Sequence, residues 1–303
     1  MTSIICDVCP RECSITAGRV GFCGIRGNID GENVDTTRNL LLLDPPYTRK
    51  VLSGGYPRYV AWFPGCNMRC WFCVYPDNTQ TEIPDPKNLE HLSPTEFIDE
   101  AHAWAISEVM FFGGEPTIHH EYVIEACQVA RESGLGTWLE TNGYIVPWLA
   151  QRIAAAVDHP IIGVKGSASP NLYATMNAHA GVCLESAAIM YHTNPKMWIV
   201  NLVDPCLRAT VKDDCRFGDY IRRNLSPDVR VLVNHLLMGR PIGTWGHPSL
   251  VARLSLDKTW SYSSQVASRL VDCGLSNVWI EDPRSGYVHV SVSGVDCGHY
   301  PKP

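Results

Sequence analysis

The 303-residue chain is 45% apolar and carries a formal charge of −6. That content suffices for one large core with a small appendage, and the acidic balance argues against a nucleic-acid partner, which needs a basic face. No run approaches the roughly 18 apolar residues of a membrane span, and the first 30 residues, charged and glycine-punctuated, lack the apolar region of a secretory signal.

Thirteen cysteines are the unusual feature. A disulfide scaffold would be much shorter. The cysteines therefore read as metal ligands, with some packed thiols, in a reducing cytoplasmic setting. An oxygen-poor, anaerobic environment would suit exposed iron–sulfur chemistry.

The chain opens on Cys6, Cys9, Cys13 and Cys23, spaced C-x2-C-x3-C-x9-C. Four thiolates on so short a segment read as a tetrahedral sulfur site. Structural zinc, mononuclear iron and a second iron–sulfur cluster all remain open, with zinc or a single iron best suited to a closed loop. Free thiols are the bland alternative. The module is too small to fold alone, so a metal would contribute its folding energy. Residues 31–57 read as an irregular linker broken by Asp44-Pro45-Pro46 and Gly54-Gly55. Two units follow: 1–57, cysteine-rich module and linker, and 58–303, a barrel with a C-terminal extension.

From Arg58 onward, short apolar runs alternate with helical segments. Strands are predicted at Tyr59–Pro64, Glu108–Phe112, Thr137–Thr141, Pro160–Lys165, Met197–Val203 and Val229–Leu237. Ser93-Pro94-Thr95-Glu96 forms a capping box that opens a helix, with proline at its first position. Glu121–Ser133 carries Val123, Cys127 and Ala130 on one face and ends before Gly134, and Val146–Val157 follows as another helix. Six such units predict an α/β fold, a partial (βα)6 TIM-type barrel with its chemistry at the C-terminal strand ends.

The first strand leads into Gly65-Cys66-Asn67-Met68-Arg69-Cys70-Trp71-Phe72-Cys73, a C-x3-C-x2-C loop. Three thiolates leave one iron of a four-iron cluster without a protein ligand, and an open metal position is what a reacting cofactor needs. A zinc loop, the competing reading, wants four ligands at paired spacings. The second strand ends in Gly113-Gly114-Glu115-Pro116, where glycines permit close backbone approach to a ligand and Glu115 can accept from a cationic amine. The third ends in Glu140-Thr141-Asn142-Gly143 and the fourth in Gly163-Val164-Lys165.

These motifs resemble the radical S-adenosylmethionine (SAM) superfamily. The resemblance implies a [4Fe–4S] cluster on the catalytic Cys66, Cys70 and Cys73. SAM chelates its open iron, and reduction yields a 5′-deoxyadenosyl radical. It also implies that Phe72 packs near the adenine and that Gly113, Gly114 and Glu115 meet the SAM ammonium. Glu140, Asn142 and Lys165 match SAM-contact positions of glycyl-radical-enzyme activases. The chain departs from those relatives at Gly163, where they usually carry Asp. The last third parallels activase-like enzymes of the AmmeMemoRadiSam group at the level of pattern.

Other candidates carry weaker signals. Tyr75 could approach the open iron but reads more readily as a packed aromatic. His235 could point to the barrel mouth, against a cofactor or substrate, or serve as a hydrogen-bonded core residue. The glycine-rich stretch Met238–Pro248 could cover a planar cofactor or a peptide, or be a surface loop. Cys127, Cys183, Cys206, Cys215, Cys273 and Cys297 lack ligand spacing and read mostly as buried thiols.

Three functions are consistent with this. The first is modification of an unactivated C–H bond in a protein or peptide. Here the chain resembles cobalamin-dependent radical SAM C-methyltransferases that act on methyl-coenzyme M reductase, with ferredoxin or flavodoxin as electron donor. The second is glycyl-radical activation without cobalamin. The ferredoxin-like insertion of typical activases is absent, since no cysteine lies between Cys73 and Cys127. The third is a non-catalytic iron–sulfur protein, which leaves the Gly-Gly-Glu-Pro and Glu-Thr-Asn-Gly strand ends without purpose.

Overall fold

The structure, a computed structural model, describes residues 2–37, 40–44, 58–73, 90–235, 256–282, 286–291 and 294–296. The N-terminal module contains two antiparallel pairs. The first joins β1 (Ser3–Ile5) to β2 (Ser14–Thr16), and the second joins β3 (Arg26–Ile29) to β4 (Glu32–Asp35). Strand β5 (Leu40–Asp44) leaves the module and pairs antiparallel with β6 (Tyr59–Phe63) and with the short β7 (Glu90–His91). The stretch expected to be an irregular linker thus contributes β4 and β5. Leu40-Leu41-Leu42-Leu43 offers an apolar run that the edge of β6 can pair, which outweighs the breakers that follow it.

Beyond β7 the chain alternates strand and helix. Helix α1 (Pro94–Ala103) begins at Ser93, whose side chain accepts from the Glu96 amide while the Glu96 carboxylate accepts from the Ser93 amide. This is the predicted capping box, and it turns Phe97, Ile98 and Ala101 inward. Next come β8 (Glu108–Gly113), α2 (His120–Glu132), β9 (Gly136–Thr141), α3 (Pro147–Ala156) and β10 (His159–Lys165). Helices α4 (Pro170–Thr175) and α5 (Ala180–Thr193) lead to β11 (Trp198–Val203), and α6 (Val211–Asn224) to β12 (Arg230–His235). Helix α7 (Leu256–Asp272) then precedes β13 (Val278–Asp282), and β14 (Gly286–Ser291) and β15 (Gly294–Asp296) close the described chain.

The sheet order is β15-β14-β13-β12-β11-β10-β9-β8-β6-β5-β7. Strands β6 and β8 through β13 are mutually parallel, with antiparallel strands on both flanks. The six expected strands are all present, and β13 adds a seventh parallel one through the α7 crossover. The large core contains every helix, including Phe97, Val123, Cys127, Ala130 and Phe217. Full burial of each large apolar side chain contributes about 1.5–3 kcal/mol.

A second cluster draws on strands alone: Val60, Trp62, Met110, Trp138, Ile161, Trp198, Val200, Leu232 and Trp279. Because side chains alternate along a strand, this cluster marks the concave lumen face. The lumen positions of each strand can therefore be read by parity.

Candidate active site

The cluster loop leaves β6 at Phe63 and is clasped by the end of β8. The Gly114 amide donates to the Phe63 carbonyl at 2.9 Å and the Glu115 amide to the Gly65 carbonyl at 3.0 Å. A Cβ on Gly114 would lie 1.8 Å from the Gly65 carbonyl oxygen, and one on Gly113 (φ +113°) 2.5 Å from the Phe63 amide nitrogen. The two glycines thus admit the cluster loop itself. Their expected role, close approach to a ligand, is not what fixes their size here.

Glu115 is fully buried. Its Oε1 accepts from the Thr117 amide (3.1 Å) and from the Thr117 and Thr141 hydroxyls (2.6 Å each), and its Oε2 from the Asn142 amide (2.8 Å). Burial pushes this carboxyl up from its ordinary value, and these hydrogen bonds pull it back. The carboxylate joins the ends of β8 and β9 rather than standing open to an incoming amine. Asn142 extends the same network: its Nδ2 donates to Asn67 Oδ1 (2.9 Å) and to the Cys66 sulfur (3.7 Å), while Asn67 Nδ2 donates to the Tyr144 carbonyl (2.7 Å).

On the lumen face the parity of β9 and β10 presents Glu140, Gly163 and Lys165. The Lys165 ammonium donates to the Gly163 carbonyl at 2.8 Å. Lys165 Nζ and Glu140 Oε1 lie 2.7 and 3.0 Å from where a Cβ of residue 163 would stand. The ammonium thus folds back into space that a side chain at 163 would occupy, a placement that the missing Cβ of Gly163 permits. Burial raises the Glu140 carboxyl, opposed by Lys165 and reinforced by Glu115.

The three loop cysteines are half-buried, and Phe72 is 2% exposed and edge-on to Trp71. Burial pushes the Cys66 thiol well up, and Cys70, Glu115 and Cys73 add to the rise. Burial takes the Cys70 thiol to about 12 against the pull of Lys165. Among the described residues no three or more His, Cys, Asp or Glu side chains stand in a ready metal-binding constellation. The case for ligation therefore rests on donor chemistry. Three soft sulfur donors on one loop, mutually repelling as thiolates and supported by the Met68 amide (3.4 Å) and Asn142 on Cys66, fit an iron–sulfur cluster.

The N-terminal cysteines show similar features. Burial takes the Cys9 thiol to about 12; the Arg11 amide opposes the rise, and Cys23, Cys6 and Cys13 each add to it. Cys23 is raised by burial while accepting from the Arg26 and Ile25 amides. Backbone N–H donors on sulfur, two and three residues downstream, favour thiolates and fit a four-thiolate metal site. The module abuts the cluster loop directly: a Cβ on Gly65 (φ +73°) would lie 2.3 Å from Ile25 Cγ1 and 2.7 Å from the Cys23 carbonyl. His119 braces the junction, with Nδ1 on Asp35 (2.6 Å) and Nε2 on the Pro64 carbonyl (2.9 Å).

Of the two readings open for His235, the structure agrees with the core one: it is buried and shares the parity of Val231 and Val233, which belong to the helix-side core, and the lumen position at this strand end falls to Asn234. Cys215 is exposed and Cys206 and Cys273 are half-buried, whereas Cys127 and Cys183 are buried as expected. Tyr75, Cys297 and the Met238–Pro248 stretch lie outside the described residues. Arg11, Gly65, Asn67, Arg69, Thr117, His119 and Thr141 were not anticipated. Gly65, Asn67 and Arg69, in the cysteine loop, and Thr141, in the Glu-Thr-Asn-Gly strand end, carried a local signal; Thr117 and His119 carried none.

Residues 60–179 match the radical SAM superfamily model. An uncharacterised protein of Methanocaldococcus jannaschii is 32% identical over 168 residues, 54% of this chain and 50% of the relative. Pyruvate formate-lyase 1-activating enzyme of Escherichia coli is 26% identical over 54% of this chain and 68% of its own length. The chain thus spans about half the length of the first of these relatives. Among solved structures, Streptococcus suis SuiB bound to the precursor peptide SuiA shares the fold with a TM-score of 0.54 at 14% identity, covering 74% of this chain and 48% of that one. The cysteine loop, the clasped strand ends and these matches together mark residues 60–179 as a radical SAM domain.

Proposed function

We propose that the chain is a radical SAM enzyme that abstracts hydrogen from a C–H bond of a protein or peptide substrate. The observation that carries this is the clasp of the C-x3-C-x2-C loop by Gly113-Gly114-Glu115, opening on a lumen that presents Glu140 and Lys165 together. When bound, the cluster and SAM would supply a one-electron cleavage that generates a 5′-deoxyadenosyl radical. Cys66, Cys70 and Cys73 would ligate iron. The loop is held by Glu115, Thr141 and Asn142 from the side, and by Gly65 and Asn67 within it. Glu140 and Lys165 offer an anionic acceptor and a cationic donor for the zwitterionic end of SAM. Phe72, nearly buried, would give the nucleoside an apolar neighbour. The tryptophans of the lumen face, Trp62, Trp138, Trp198 and Trp279, would give the reaction apolar surroundings.

A macromolecular substrate is supported by two relatives. One is named as an activating enzyme of pyruvate formate-lyase, and a fold neighbour binds a precursor peptide. Within this reading, cobalamin-dependent methylation of methyl-coenzyme M reductase needs a corrin site. The stretch read as able to cover a planar cofactor, Met238–Pro248, lies outside the described residues, and His235 shares the parity of the helix-side core. Hydrogen abstraction without cobalamin, as in glycyl-radical activation, is favoured here by the similarity to an activating enzyme. The test is metal counting and an absorption spectrum on protein purified anaerobically from a cobalamin-supplied host. Iron near four or five per chain without cobalt is expected. Cobalt near one per chain with corrin bands would instead establish the methyltransferase form.

A further inference from the structure

Two arginines and one phenylalanine join the N-terminal module to the cluster loop. The Arg69 guanidinium donates from Nη1 to the Cys66 carbonyl (2.8 Å) and the Met68 carbonyl (3.1 Å), and from Nη2 to the Phe22 carbonyl (2.6 Å). Its Cζ lies 4.0 Å from the centre of the Phe22 ring. Arg11 approaches the same ring at 3.6 Å, donating from Nε to the Asn67 carbonyl (2.8 Å) and from Nη2 to the Asn177 carbonyl. Three successive carbonyls of the loop, at residues 66, 67 and 68, are thus held by two guanidiniums that share one aromatic ring. Among the described residues neither guanidinium pairs with a carboxylate.

Two cations converge here in a half-buried place, each held by loop carbonyls and by the face of one ring. Each stands among one sulfur set: Arg11 lies between Cys9 and Cys13 along the chain, and Arg69 between Cys66 and Cys70. We infer that Arg11, Phe22 and Arg69 form a cationic bracket that sets the reduction potential of the cluster held by Cys66, Cys70 and Cys73. This rests on the proposed cluster ligation.

Reduction adds one electron to an already anionic centre. A fixed cation beside the ligand loop stabilises the reduced form more than the oxidised one, and in a half-buried site water screens little of that effect. Both arginines are positioning residues, since neither needs to touch SAM or substrate.

The experiment is a redox titration, followed by electron paramagnetic resonance, of the 303-residue chain reconstituted anaerobically as wild type, Arg69→Gln, Arg69→Lys and Arg11→Gln. Arg69→Gln should titrate at a more negative potential than wild type with unchanged iron content. Arg69→Lys, which keeps the charge and loses the fork, should shift less. Arg11→Gln should shift in the same direction as Arg69→Gln and keeps the test open if Arg69→Gln does not assemble. Iron-loaded glutamine variants titrating at the wild-type potential would overturn the bracket, as would an Arg69→Lys shift equal to that of Arg69→Gln. Absence of a cluster signal in wild-type protein would instead overturn the ligand assignment, and the bracket with it.

Discussion

At the scale of single residues, backbone closeness and buried hydrogen bonds organise the site. Gly114→Ala places a methyl group where the Gly65 carbonyl stands, at 1.8 Å, and neither partner is a flexible side chain. We expect this variant to lose most of its iron on reconstitution, measured as iron per chain, while Gly181→Ala, on helix α5 with nothing within 4 Å of its Cβ, retains it. Glu115→Gln replaces an acceptor with an amide donor facing N–H and O–H donors. Its cost should be about 2–3 kcal/mol, read as a lower urea midpoint at unchanged slope. The three-cysteine loop and the Gly-Gly-Glu-Pro turn were legible because their spacing is itself chemistry. The partners of Glu115 and Asn142 were not, because nothing in a linear sequence says that Thr141, 26 residues on, completes a carboxylate's hydrogen bonds.

Elements follow the sequence where local signals agree. Helix α1 starts where Ser93 and Glu96 require, and Ser93→Ala should destabilise the fold by about 1 kcal/mol, read as a modest fall in melting temperature. Strand β5 was hidden by its flanking breakers, since pairing with β6 is non-local. Parity chooses between the two readings of His235: the period of two puts it with the helix-side core, and the expected strand end, Leu237, lies beyond the described β12. Asp35 and His119 make an element-level prediction with a sign. Burial tends to raise the Asp35 carboxyl, but the charge of His119 and the hydrogen bonds from His119 and Thr37 hold it well below the usual carboxylate range. An acid depressed in the folded state contributes its stability above the unfolded pKa of about 3.9 and loses it as pH falls below that value. The melting temperature should therefore drop between about pH 4 and pH 2, and the drop should be smaller in Asp35→Asn.

For the molecule as a whole, the helix-side core and the aromatic lumen divide structural work from chemistry, and the N-terminal module is bolted to the boundary between them. Arg11, Arg26, Arg69 and His119 all cross that junction. Losing the metal proposed for the four-cysteine site should therefore loosen the cluster loop as well as the module. Cys9→Ser should show early tryptic cleavage within residues 2–37 and reduced iron retention, both absent in Cys215→Ser. Among the described residues no helix is long and apolar enough to cross a membrane. The central claim is that Cys66, Cys70 and Cys73 hold an open cluster on which SAM is cleaved. Its most direct test is to reduce the reconstituted protein anaerobically, add SAM and quantify 5′-deoxyadenosine, with Cys70→Ala alongside. The account predicts 5′-deoxyadenosine from wild type and none from Cys70→Ala; an iron-loaded wild type that leaves SAM intact, or a Cys70→Ala protein that cleaves it, would contradict the account.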